Sequence, residues 1–272
     1  MKDRFKDQVV WITGASAGIG REMARVFAAQ GADLAVSARR EDWLAQVVAE
    51  VEALGKRCLS VPCDVTDEAQ IAAAVQKITG HFGRLDVAVA NAGFGVVGRI
   101  EELGAQEWRR QLDVNVVGLA LTARYALPHL HQTGGRLALI GSVAAVLPSP
   151  NTGAYGASKA AVASIGQTLS AELHGSSVTC TTLHPGFVES DIARVDAQGV
   201  FHPDQEDPRP KRLMWPTERA ARVMVDAIYR RKRSYVFTVH GKVANFIGRH
   251  LPFLAHLLFG SMRKDRYSSP AK

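Results

Sequence analysis

The sequence predicts an α/β protein built on one doubly wound, parallel sheet of about seven strands, and three observations lead there. Short apolar runs alternate with helix-length segments along most of the chain. The runs are apolar throughout rather than every second residue, as strands covered on both faces must be. Glycines close the first two helical segments, at Gly31 and Gly55, where a left-handed residue ends a helix without steric cost. Parallel strands joined by helices need right-handed crossovers, which place helices on both faces of the sheet.

Taken in order, residues 8–13 (QVVWIT) form the first strand and 19–30 a helix closed by Gly31. Residues 33–38 (DLAVSA) form a second strand and 41–54 a helix closed by Gly55. Further strands are expected at 59–63, 87–90, 137–140 and 178–183, and further helices at 68–82, 107–131 and 152–174. Polar, proline-containing residues 204–211 read as an excursion from the domain rather than a linker. A helix at 217–229 and a last strand at 235–239 complete a domain spanning residues 1–240. Residues 241–272 are an apolar tail with basic ends. Pro252 sets a helix break near Leu251.

Composition narrows the class. A chain of 272 residues, 47% apolar and 22% charged, is an ordinary globular protein large enough to bury a core without staples. Its net charge of +7 gathers late, at Arg230-Arg231-Lys232-Arg233 and Arg263-Lys264. No stripe of basic residues interleaved with aromatics is present, so nucleic acid is not an expected partner. Cys58, Cys63 and Cys180 lack metal-type spacing and read as buried thiols in a reducing compartment, with no metal. The charged residues 1–7 run directly into a strand, so no leader is expected. No run reaches the roughly 18 apolar residues of a membrane span. The expected location is the cytoplasm.

Thr13-Gly14-Ala15-Ser16-Ala17-Gly18-Ile19-Gly20 joins the first strand to the first helix. Glycines in such a turn let backbone amides approach a pyrophosphate, whose charge suits the positive helix end. A tight turn without a ligand is the plainer alternative. Downstream, Tyr155 and Lys159 stand four apart, so on a helix they share a face. A phenol titrates near pH 10, and an adjacent ammonium favours the phenolate and moves that value toward the working range. Ser142, at the end of an apolar run, would hold a carbonyl or hydroxyl oxygen between them. Such equipment moves a proton on and off a substrate oxygen.

In order and spacing these motifs resemble the short-chain dehydrogenase/reductase family, over the chain up to about residue 240. The glycines follow T-G-x-x-x-G-x-G rather than the G-x-G-x-x-G of other dinucleotide loops. The resemblance implies a Rossmann-type domain with Gly14, Ser16, Gly18, Ile19 and Gly20 in the coenzyme loop. It puts Asn91-Ala92-Gly93 beside the coenzyme, Asp64 and Val65 at the adenine, and Pro185-Gly186 with the Val188 backbone at the nicotinamide. Asn115, Ser142, Tyr155 and Lys159 match the catalytic positions. Tyr155 is then the acid in reduction and the base in oxidation, and Lys159 lowers its pKa and bonds the nicotinamide ribose. Ser142 positions the substrate oxygen, and Asn115 holds a water leading from Lys159 to solvent. His184, beside Pro185, reads as structural. Ser190 stands where Thr is frequent in relatives.

At the end of the second strand, Ala38 occupies the position where NAD-preferring domains carry an acid, and Arg39 follows. A guanidinium makes paired bonds to a phosphate and offers no acceptor for a ribose hydroxyl. NADP(H) is therefore expected, with Arg39 and Ser16 at the 2′-phosphate and Arg40 as a second cation. Ala17, where many NADP-preferring relatives carry Lys or Arg, departs from the pattern. Expected pocket residues are Phe94, Val96, Val143, Leu147, Pro148 and Phe187, with residues 191–214. They are mostly apolar, and no arginine is placed to hold a substrate carboxylate. The expected substrate is a hydrophobic ketone, aldehyde or alcohol, in a homodimer or homotetramer. The alternatives are an NAD-dependent dehydrogenase of the same fold and a coenzyme-binding regulatory protein without turnover. The tail packs on a second subunit or over the pocket, caps its own core, or lies on a membrane surface.

Overall fold

The structure, a computed structural model, describes residues 3–147, 149–190, 192, 196, 202, 204, 207, 209–251, 253, 254 and 257. Seven strands, β1 (Val9–Thr13), β2 (Asp33–Ser37), β3 (Cys58–Ser60), β4 (Val87–Ala90), β5 (Arg136–Ile140), β6 (Thr179–His184) and β7 (Ser234–Val236), form one sheet. Their order is β3-β2-β1-β4-β5-β6-β7, and every pairing is parallel. This is the doubly wound sheet the sequence predicts. Sequence order reverses between β1 and β4, and the crevice beyond the carboxyl ends of strands at such a switch is where open α/β sheets bind ligands.

Helices α1 (Gly18–Ala29), α2 (Glu41–Glu52), α3 (Glu68–Phe82), α4 (Ala105–Leu112), α5 (Gly118–Thr133), α6 (Gly153–Glu172), α7 (Thr217–Tyr229) and α8 (Val239–His250) complete the described architecture. Successive strand side chains point to opposite faces, which splits the core in two. Val10, Ile12, Leu34 and Val36 pack with Met23 and Phe27 of α1, Leu44 and Val47 of α2, and Met224 and Val225 of α7. Val9, Trp11, Ala88 and Leu137 pack on the other face with Ile71 and Ile78 of α3, Leu130 of α5 and Val162 of α6. Each Val, Leu, Ile, Met or Phe side chain among these contributes about 1.5–3 kcal/mol on burial. Buried Trp11 also donates from Nε1 to Ser37 Oγ at 2.9 Å.

The expected helix over 107–131 begins two residues earlier and is broken by a wider π-helical turn, Asp113–Val117. Gly118 follows it, where a Cβ would come within 2.8 Å of Val65. The last strand is shorter than the expected 235–239. Thr238 Oγ1 accepts from Gly241 N at 3.1 Å, capping α8 and turning the chain into helix at Val239. Helix α8 ends at His250, and Leu251 leaves helical geometry (φ −134°), at the expected break. Pro252 itself, Pro148, most of residues 191–208 and the chain beyond Leu257 lie outside the described residues.

Candidate active site

The turn after β1 is held by β4. Thr13 Oγ1 accepts from Asn91 N at 3.1 Å and Ala92 N at 3.2 Å, and Asn91 Nδ2 donates to Thr13 O at 2.9 Å and Gly14 O at 3.0 Å. Gly14 has φ +63°, and a Cβ there would stand 2.7 Å from Ala92 Cα. At Gly20 a Cβ would stand 2.5 Å from Gly14 O. The tight turn thus needs glycine at both positions. Helix α1 has no side-chain cap and no acid in its first turn, leaving its positive end open.

That end faces a cavity of about 730 Å³ running from β2 to β6. The expected coenzyme residues Gly14, Ser16, Gly18, Ile19, Gly20, Arg39, Asp64, Val65, Asn91, Ala92, Gly93, Pro185, Gly186 and Val188 all line it, as do Ser142, Tyr155 and Lys159. So do Arg109 and Arg110 of α4, which sequence reasoning missed. Arg40, rather than Arg39, reaches Ser16: its Nη2 lies 3.3 Å from Ser16 Oγ, and its guanidinium stacks 3.6 Å from the Trp43 ring centre. Asp64 Oδ1 accepts from Thr66 N at 2.9 Å and Thr66 Oγ1 at 2.8 Å, while the cap of α3 is Asp67. Cys63 lines the same cavity, and burial pushes its thiol up to about 11.

At the far end, α6 presents Tyr155 and Lys159 on one face, the ammonium 5.8 Å from the ring centre. Lys159 is buried and donates from Nζ to Ile140 O at 2.8 Å, and burial lowers its pKa to about 8. Gly95 lies against the phenol ring, where a Cβ would sit 3.4 Å from Tyr155 Cδ2. Burial pushes the phenol above its usual 10, opposed by a hydrogen bond with Ser142 and the charge of Arg209. Burial outweighs the opposing effects of Ser142 and Arg209.

Arg209 stands near the reacting end. Its charge reaches Tyr155, but its donors are engaged. It holds Val188 O at 3.0 Å, Ser190 O at 2.8 Å and Asp207 at 2.7 Å, fastening the segment after β6.

Asn115 lies behind this wall rather than on it. Nδ2 donates to Phe94 O at 2.9 Å and Ser158 Oγ at 3.0 Å, and Oδ1 accepts from Phe94 N at 3.1 Å. Gln111, four residues earlier and fully buried, repeats the clamp on Phe94 O (2.9 Å) and Val96 N (2.6 Å). Two amides at i and i+4 on one helix were the available signal. His184 is buried with its ring near Ser142 O (3.3 Å), and burial lowers its pKa, so it supports the serine turn as a neutral ring. Of the expected pocket residues, Phe94 lines the cavity, whereas Val96, Val143, Leu147 and Phe187 do not. Phe187 N donates to His240 Nε2 at 3.0 Å, and the two rings stack 5.5 Å apart.

The family model for short chain dehydrogenases matches residues 8–199. The chain belongs to the short-chain dehydrogenase/reductase family. It is 37% identical over 211 residues to an 11-beta-hydroxysteroid dehydrogenase A of Arachis hypogaea, covering 76% of this chain and 60% of that one. The chain therefore spans little more than half the length of such curated relatives. Among solved structures it resembles a family member from Burkholderia phymatum in complex with NAD (30% identity, TM-score 0.79, 90% of this chain and 92% of that one). It also resembles one from Burkholderia cenocepacia in complex with NADP (28% identity, TM-score 0.76, 85% and 96%).

Proposed function

We propose that this short-chain dehydrogenase/reductase is an NADP(H)-dependent oxidoreductase interconverting a carbonyl and an alcohol on a hydrophobic substrate. The observation that carries the reading is the pairing, in one crevice, of an arginine-rimmed nucleotide end with the Ser142–Tyr155–Lys159 cluster.

The residues fit a dinucleotide. Backbone amides at the open end of α1 suit the pyrophosphate. Arg39 and Arg40 with Ser16 suit a 2′-phosphate, and no acid stands at Ala38 to repel it. Bound there, the coenzyme supplies or accepts the hydride. The chain's own residues handle the proton. With its pKa raised, the Tyr155 phenol is neutral near pH 7 and donates from Oη to the substrate oxygen in reduction. Ser142 Oγ hydrogen-bonds that oxygen and aims it at the phenol. Lys159, largely charged at pH 7, stabilises the phenolate left behind and recovers the proton from solvent by way of the Asn115 region. Apolar Phe94, which lines the cavity, excludes water from the reacting end. The hydroxysteroid dehydrogenase named among the relatives supports an apolar substrate.

Thermal stabilisation by NADPH and NADH at equal concentration tests the coenzyme. NADPH should raise the melting temperature more, and Arg39→Ala combined with Arg40→Ala should shrink the gap. Equal stabilisation by NADH would favour an NAD-dependent enzyme.

A further inference from the structure

We propose that the outward face of α8 docks on an anionic lipid surface, holding the protein peripherally at a membrane. The helix meets the rest of the molecule through glycine. A Cβ on Gly248 would strike the Val146 backbone carbonyl, and one on Gly241 would sit 3.2 Å from Val143 Cγ1. The inner face therefore lies directly on the turn that follows Ser142. At about 100° per residue, Gly241 and Gly248 point one way, and Val239, Val243, Phe246 and His250 point the other. These outward apolar side chains stand in solvent: Val239 is 73%, Val243 55% and Phe246 58% exposed. Beyond the helix, Phe253 (71%) and Leu257 (67%) are exposed as well. A single exposed valine needs no explanation, but Val239, Val243 and Phe246 exposed together on one helix face mark an interaction surface.

Charge identifies the occupant. Helix α8 contains no Asp or Glu, and residues 230–272 hold ten Lys and Arg against the single Asp265. Exposed Lys242 and Arg249 flank the apolar line on one side. A second copy of α8 laid across the first would crowd these cations with nothing to neutralise them. Lipid phosphates neutralise them while the acyl boundary takes the Val and Phe side chains, which is how an amphipathic helix lies in an interface. No described helix is long and apolar enough to cross a membrane.

The test is sedimentation of the full-length, coenzyme-free protein with vesicles of phosphatidylcholine and of mixed phosphatidylcholine and phosphatidylglycerol. Binding is expected to the mixed vesicles, weakening as salt rises, and little to phosphatidylcholine alone. Val243→Ser with Phe246→Ser should cut partitioning about tenfold or more without lowering the melting temperature of the free protein. Lys242→Gln with Arg249→Gln should weaken binding to the anionic vesicles only. Three results would overturn the proposal: no sedimentation with anionic vesicles, equal binding by the serine variant, or conversion of that variant from dimer to monomer without vesicle binding in the parent. The last would make the face a subunit interface. Because the readout involves neither coenzyme nor turnover, its failure is separable from failure of the oxidoreductase reading.

Discussion

Single side chains decide the chemistry here, and burial is the force that sets them. Tyr155 keeps its proton because removing it would leave a negative charge in a poorly solvated pocket. Tyr155→Phe keeps the ring against Gly95 and loses only the hydroxyl. Coenzyme affinity should stay near normal while turnover falls about 10²–10⁴-fold, the range of general acid catalysis; a mutant retaining full turnover would reject the role. Lys159 carries the opposite consequence of burial. With its pKa near 8, the amine loses its charge as pH rises through that value, and with it an attraction to a polyanionic coenzyme. Affinity measured by titration calorimetry should therefore fall above about pH 8 in the parent. Lys159→Arg, charged throughout, should show no break there.

At the level of elements, the nucleotide crevice exists because β1 and β4 are stitched together by Thr13 and Asn91. That closeness leaves no room for a side chain at the start of α1. A methyl on Gly20 would meet Gly14 O, a backbone atom that cannot swing aside. Gly20→Ala should cost about 1–3 kcal/mol of stability and weaken coenzyme binding, measurable by denaturant unfolding with and without NADPH. Much of this element was legible in the chain, because a turn's requirement for glycine is local and shows as spacing. The π-helical turn at Asp113–Val117 was not, since helical periodicity continues through it. Neither was the early end of β7, which depends on one Thr238 hydroxyl finding the Gly241 amide.

Across the whole molecule, two histidines couple stability to pH. His184 and His240 both have pKa values lowered from 6.5 by burial. As pH falls below 6.5, the unfolded chain takes up protons that the folded one refuses, so stability falls until the folded values are reached. Above 6.5 both states hold neutral rings and this contribution is flat. Melting temperatures between pH 8 and pH 5 should show the decline, and His240→Gln should lessen it. His240 has a second connection, since it receives Phe187 N and so ties α8 to the turn after β6.

The sequence by itself determined the layered parallel sheet, the glycine turn and the Tyr155–Lys159 pair. Each is written in residues a few positions apart, where backbone geometry alone brings them together. Tertiary structure decided what surrounds them. Gln111 clamps residues 94–96, Arg209 grips Val188 and lends its charge to Tyr155, and α8 lies with glycine inward and Phe246 outward. Those contacts join segments tens of residues apart, and no local periodicity encodes a meeting that only the folded chain creates.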